Sequence, residues 1–182
     1  MEITLRPLRA ADADVISAWF AGPAELAQWA GPETDFPLTR SHLETWIGER
    51  AGPRPRTCYA AVDADDMPFA TFQLVDDRRN RMVRLARFGV APERRGRGLG
   101  RALLKLILER AFVEMGAHRV ELGVSSENSR ARELYERAGF VHEGTARDSS
   151  LVDGAWRSVD NMSLLRPEWR RGWADAVPAM AG

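Results

Sequence analysis

Between Arg81 and Glu114 the chain changes its apolar period once, abruptly, across a turn rich in glycine and arginine. Before the turn lies RMVRLARFGV, with Val83, Leu85 and Gly89 on one side of an extended strand and Ala86, Phe88 and Val90 on the other. A strand apolar on both sides lies inside a covered sheet, or is locally bent, or both. After the turn, Leu99, Leu103, Leu106, Ile107 and Ala111 recur at helical spacing, which predicts a helix from Gly98 to Glu114.

The turn itself asks for an anion. A helix N-terminus leaves backbone N–H groups unpaired and carries about half a positive charge, and glycine lets a ligand approach that backbone closely. Gly96, Gly98 and Gly100 stand at this helix mouth, and from Asp76 to Arg101 nine arginines face three acids. The chain as a whole balances 26 basic against 26 acidic residues, so the excess is local. Neither a Walker A sequence nor a full dinucleotide fingerprint is present. A merely solvated basic turn is the alternative, and on spacing alone the anion site implies no reaction.

The remaining elements follow from period and punctuation. Ile3 to Leu8 is predicted as a strand, and Asp12 or Asp14 can cap a helix through ADVISAWFAG that Gly22-Pro23 ends. A turn-rich stretch from Trp29 to Leu38 precedes a helix from Thr39 in which Leu43, Trp46 and Ile47 share a face. TCYAAV and PFATFQLV form a hairpin around DADD. After the long helix come the strand HRVELGV, a helix from Ser129 to Arg137 and a last hairpin of FVHEGTARD and WRSVDNMSLL. This order predicts a single mixed α/β domain over residues 1–170, with helices on both faces of the sheet and a loose tail over 171–182. At 182 residues and 45% hydrophobic content one core is expected. Cys58, the lone cysteine, excludes an intrachain disulfide and reads as a buried small hydrophobe. Neither a secretory head nor a membrane-length apolar run is visible, and the cytoplasm is the expected location.

Two blocks carry a family resemblance. Arg95-Gly96-Arg97-Gly98-Leu99-Gly100 resembles the R/Q-x-x-G-x-G/A motif with which GCN5-related N-acetyltransferases, the GNAT superfamily, bind acetyl-CoA. Asn128 to Phe140 resembles that superfamily's N-x-x-A-x-x-L-Y-x-x-x-G-F block, and the opening ITLRPLRAAD resembles the branch of ribosomal-protein and protein N-terminal acetyltransferases. The resemblance covers residues 2 to 169 and is weakest from Gly22 to Thr57. It implies a mostly antiparallel GNAT-type sheet in which the strand ending at Val90 and the strand His118 to Val124 part like a V. Acetyl-CoA is then the co-substrate, with no metal. Its pantetheine would lie along Phe88, Gly89 and Val90, and its pyrophosphate against Arg95, Gly96, Arg97, Gly98, Leu99 and Gly100, with Arg101 adding charge.

The same resemblance implies that Asn128 steadies the pantetheine arm, that Arg132 reaches a CoA phosphate and that Tyr135 protonates the departing thiolate. By position alone, Asn128 is a helix cap, Arg132 a solvated residue and Tyr135 a core aromatic continuing the Ala131, Leu134 and Ala138 stripe. The implied activity is acetyl transfer to a protein N-terminus or a small-molecule amine, with a homodimer as a family expectation. A non-catalytic acyl-CoA sensor is the alternative, motivated by the lack of any acid in RMVRLARFGV. Glu93, Glu121, His118, His142, Asp148, Asp160 and water all stay open as the base. Trp29, Glu33, Asp35 and Trp46 are candidates for the acceptor wall, and neither nucleic acid nor membrane is expected as a partner.

Overall fold

A computed structural model of the chain describes residues 3–172. Seven strands form one sheet: β1 (Thr4–Pro7), β2 (Arg56–Val62), β3 (Pro68–Asp77), β4 (Met82–Val90), β5 (Arg119–Ser125), β6 (Val141–Val152) and β7 (Ala155–Leu165). Their spatial order is β1-β2-β3-β4-β5-β7-β6, and every neighbouring pair is antiparallel except β4 and β5. The helices are α1 (Ala13–Ser17), α2 (Pro23–Ala30), α3 (Arg40–Gly48), α4 (Leu99–Glu109), α5 (Ser129–Arg137) and α6 (Arg166–Gly172). A π-helical turn over Arg110–Glu114 prolongs α4. The mixed, mostly antiparallel sheet agrees with the sequence expectation.

Two apolar clusters hold the layers together. Phe72, Leu74, Val83, Leu85, Val120 and Leu122 of the sheet meet Leu104, Ile107 and Leu108 of α4 and Trp169 of α6. Ile16, Leu26, Leu43 and Trp46 of α1 to α3 meet Cys58 and Ala60 of β2 in the other. Cys58 is buried, and burial pushes its thiol up to about 11, as suits a packing residue rather than a nucleophile.

The central strands decide the shape of the site. β4 and β5 pair only at Met82–Arg84 against Arg119–Glu121, then diverge. In β4, Thr71 of β3 opposes Gly89 while Gln73 opposes Ala86, so Arg87 and Phe88 together face Phe72. This bulge places Arg87 at φ +47 and reverses the side-chain parity of the strand. Val83 and Leu85 therefore face the α4 cluster, whereas Gly89 turns to meet Trp29 on α2. The broken alternation of RMVRLARFGV is this bulge.

Three elements depart from the expectation. Gly22-Pro23 ends no long helix: α1 stops at Ser17, and Pro23 is the first residue of α2, where its missing N–H is no loss. β6 runs on to Val152, well past the predicted FVHEGTARD arm. The chain also continues as α6 to Gly172, two residues beyond the predicted boundary of 170; the rest of the expected tail, from 173, lies outside the described residues.

Candidate active site

The glycine-arginine turn presents its backbone outward. Gly96 and Gly98 both sit at positive φ, +79 and +77, and Gly98 is the N-cap of α4. The N–H groups of Arg94, Arg95 and Arg101 are taken up by the carbonyls of Ala91, Pro92 and Gly98, while those of residues 96 to 100 have no acceptor among the described residues. Five successive donors without acceptors at a helix mouth are an arrangement suited to receiving an anion. Gly100 serves packing as well, since a Cβ there would meet Leu134 Cδ2 at 3.3 Å and its lack of side chain lets α4 approach α5.

Below this turn, a cleft of about 710 Å³ opens along the splayed end of β4. Phe88, Gly89, Val90, Arg95, Gly96, Gly98, Leu99, Gly100, Arg101, Asn128 and Tyr135 all line it, so most of the predicted site residues converge. Asn128 also caps α5, its side chain accepting from Ala131 N at 3.1 Å. Tyr135 is buried and packs its ring against Phe140, and its hydroxyl has no protein partner among the described residues. Burial pushes its phenol well above the ordinary range, so it stays protonated throughout the working pH range.

Two predicted residues stand outside the cleft lining. The Arg97 side chain is exposed beyond it, while its N–H belongs to the donor row of residues 96 to 100. Arg132 likewise lies outside it, held instead by Glu136 at 2.9 Å and Asp160 at 3.3 Å, because its helix position faces β7. In their place α5 offers Arg130 and Arg137, which sequence reasoning missed. The signal was available: seven residues apart, they share the helix face of Ala131, Leu134 and Ala138. The other turn arginines are partly committed, Arg94 to Asp63 at 3.1 Å and Arg95 Nε to the Val90 carbonyl at 2.9 Å.

A second cleft, of about 520 Å³, lies beneath α2. Its walls include Arg84, Ala86 and Arg87 of β4, Gly123 and Ser125 of β5, and Arg157 and Val159 of β7. Glu25, Gln28 and Trp29 line both clefts, which therefore meet at α2. Trp29 fixes this junction: its Nε1 donates to the Arg87 carbonyl at 2.9 Å and its ring covers Gly89, where a Cβ would come within 2.9 Å. Of the other predicted wall residues, Trp46 is buried core, and Glu33 and Asp35 line neither cleft.

None of the predicted bases reaches either cleft. Glu121 is engaged by Arg84 and Arg119. Asp160 is buried, and its hydrogen bond from Thr145 chiefly holds its carboxyl low, with Ser126 assisting. His142 stands 3.4 Å from Asp160, and Glu93, His118 and Asp148 are exposed away from the clefts. Glu25 is the carboxylate common to both clefts, and its partner is the Ala21 N–H at 2.9 Å. The described residues hold no cluster of metal ligands, and no helix among them is long and apolar enough to cross a membrane.

The profile of the acetyltransferase (GNAT) family matches residues 24–140. Across 180 residues the chain is 26% identical to spermidine N(1)-acetyltransferase of Vibrio cholerae, covering 92% of this chain and 95% of that protein. A putative ribosomal N-acetyltransferase of Bacillus subtilis, YdaF, is 33% identical over 93 residues, about half of each chain (51% and 50%). The crystal structure of the Vibrio cholerae spermidine N-acetyltransferase in complex with CoA and spermine superposes with a TM-score of 0.77 at 24% identity, covering 92% of this chain and 97% of that one.

Proposed function

The chain belongs to the acetyltransferase (GNAT) family, and we propose that acetyl-CoA occupies the α4-side cleft while a small amine reaches it from beneath α2. The carrying observation is the row of unoccupied donors at residues 96 to 100, set above an open β4 edge with the Tyr135 hydroxyl in the same cleft. The pyrophosphate fits those donors and the pantetheine fits the strand edge around Phe88, Gly89 and Val90. Arg95, Arg101 and Arg130 add positive potential, and among the described residues none of the three forms an ion pair. Asn128 steadies the same arm while capping α5.

Transfer is direct. The neutral amine nitrogen attacks the thioester carbonyl carbon, the C–N bond forms and the C–S bond breaks. Backbone N–H groups on the unpaired edge of β4 stabilise the oxyanion. Tyr135 donates its proton to the departing sulfur, the proton lost by the amine passes through water to Glu25 and onward to solvent, and solvent returns a proton to the Tyr135 phenolate. The net change is one proton from amine to thiol. Burial raises the phenol pKa, which makes Tyr135 a weak acid whose proton is retained until a thiolate forms beside it.

Amine-dependent release of CoA thiol, with the acetylated product identified by mass, tests the reading together with calorimetric titration of acetyl-CoA. Binding in the micromolar range and thiol release that depends on the amine are expected. No heat and no thermal shift at millimolar acetyl-CoA would remove the cofactor assignment.

A further inference from the structure

The cleft beneath α2, read as the acceptor site, carries a charge imbalance that acetyl transfer itself does not require. Arg56, Arg84, Arg87 and Arg157 line it against Glu25 and Glu127. Three of these guanidiniums are neutralised on the spot: Arg56 by Glu49 at 2.6 Å, Arg84 by Glu121 at 3.3 Å, and Arg157 by Glu127. Arg87 has no carboxylate partner among the described residues. Its Nη1 donates to Gln73 Oε1 at 2.8 Å, yet the same oxygen accepts from Arg56 Nη1 at 2.7 Å, so two cations converge on one neutral amide. Its Nε is buried with no hydrogen-bond acceptor among the described residues.

Local structure holds this arrangement in place. Arg87 is the bulge residue of β4, its carbonyl is tied to Trp29, and its guanidinium lies 3.9 Å above the Trp46 ring centroid. Burial, with Arg56 nearby, draws its pKa down to about 10, which leaves it cationic at neutral pH. A cation drawn partly out of water without a counterion is unfavourable, and a ligand anion relieves that penalty on binding. A polycation entering the same cleft meets the uncompensated charge of Arg87.

We infer that the acceptor is an amine that also carries a carboxylate, with Arg87 as the counterion of that carboxylate, and that the cleft discriminates against polyamines. The nitrogen end points toward the junction at Glu25 and Trp29, where acetyl transfer takes place, and the anionic end stays beneath α2. This recognition, which rests on the acetyltransferase reading above, separates the chain from relatives named for spermidine, although the fold is shared.

The test is a series of ω-amino acids, from glycine to aminohexanoate, set against α,ω-diamines of equal length and spermidine. Thiol release from acetyl-CoA gives kcat/KM, and mass confirms each product. The best amino acid is expected to exceed its matched diamine by about tenfold or more. Arg87→Asn removes the charge yet suits a left-handed backbone, so it should erase that preference mainly by raising KM for the amino acid. Unchanged acetyl-CoA affinity, read by calorimetry, shows that the variant is folded; Arg87→Lys, which keeps charge but not the fork, should restore part of the preference. Diamines used as well or better, a preference that survives Arg87→Asn, or no turnover of any amine in the series overturns the inference while acetyl-CoA still binds. Only failure of the wild-type protein to bind acetyl-CoA reaches the cofactor assignment beneath it.

Discussion

The two clefts share Glu25, Gln28 and Trp29, yet they are built from different material. The α4-side cleft offers main chain for polar contact: glycines at positive φ, free N–H groups and the open edge of a strand. The cleft beneath α2 is made by side chains from α2, β2, β4, β5 and β7, among them four arginines with unequal partners. Main-chain recognition suits a ligand portion that never varies, because it reads shape and phosphate charge rather than a particular side group. Side-chain recognition can be retuned one residue at a time without moving the backbone. A fold shared with a spermidine enzyme can therefore coexist with a different acceptor.

Tyr135→Phe presses hardest on this division, since Tyr135 lines the α4-side cleft but in the proposed reaction acts on chemistry. Turnover should fall by about a hundredfold, the lower range for loss of a general acid, with acetyl-CoA affinity nearly unchanged. Stopped-flow or steady-state kcat beside calorimetry checks both, and an unaltered rate across pH would take Tyr135 out of the acid role.

Gly89→Ala strikes the junction, so it should damage both clefts together. The new Cβ would meet the Trp29 indole at 2.9 Å, at about 1–3 kcal/mol for overpacking. Lower thermal stability together with weaker acetyl-CoA and acceptor binding is the expected signature. Loss on one side alone would mean that Trp29 does not couple them.

Gly98→Val acts on one side only. At φ +77 a β-branched residue costs about 1–2 kcal/mol, and acetyl-CoA should bind about tenfold more weakly. The acceptor KM should hold steady at saturating acetyl-CoA.

The smallest effect lies outside both clefts. Arg119 donates to Glu143 at 2.7 and 2.5 Å and, with Ser163, brings its carboxyl down from 4.5 to about 2. Such a depressed group stabilises the fold above its ordinary value and loses that contribution as pH falls from about 4.5 toward 2. Glu143 is 41% exposed, so the contribution is under about 1 kcal/mol. Glu143→Gln should flatten urea-midpoint stability across that acid window and leave both ligands' affinities alone.

What could be read before folding tracks the same division. Gly96, Gly98 and Gly100 stand out in the sequence because a glycine turn before a helix stripe is a local pattern, whereas the stripe that holds Tyr135 marks it only as a core aromatic and the family block alone suggests its role. The bulge at Arg87 showed only as a broken alternation, and Pro23 was read as an end because the same residue type both stops one helix and starts the next. Arg132 and Arg130 stand two places apart on α5, and only the position of β7 decides that the first is bound to Asp160 and the second faces the cleft.

By itself the sequence determined the strand–turn–helix unit, the mixed sheet and the glycine-rich helix mouth, since apolar period and unpaired helix-end donors depend on neighbours along the chain. The tertiary structure alone decided the charge balance beneath α2. Arg87, Gln73, Arg56 and Trp46 come from four separate elements, and whether a cation has a counterion is settled only by what packing brings within a few ångströms of it.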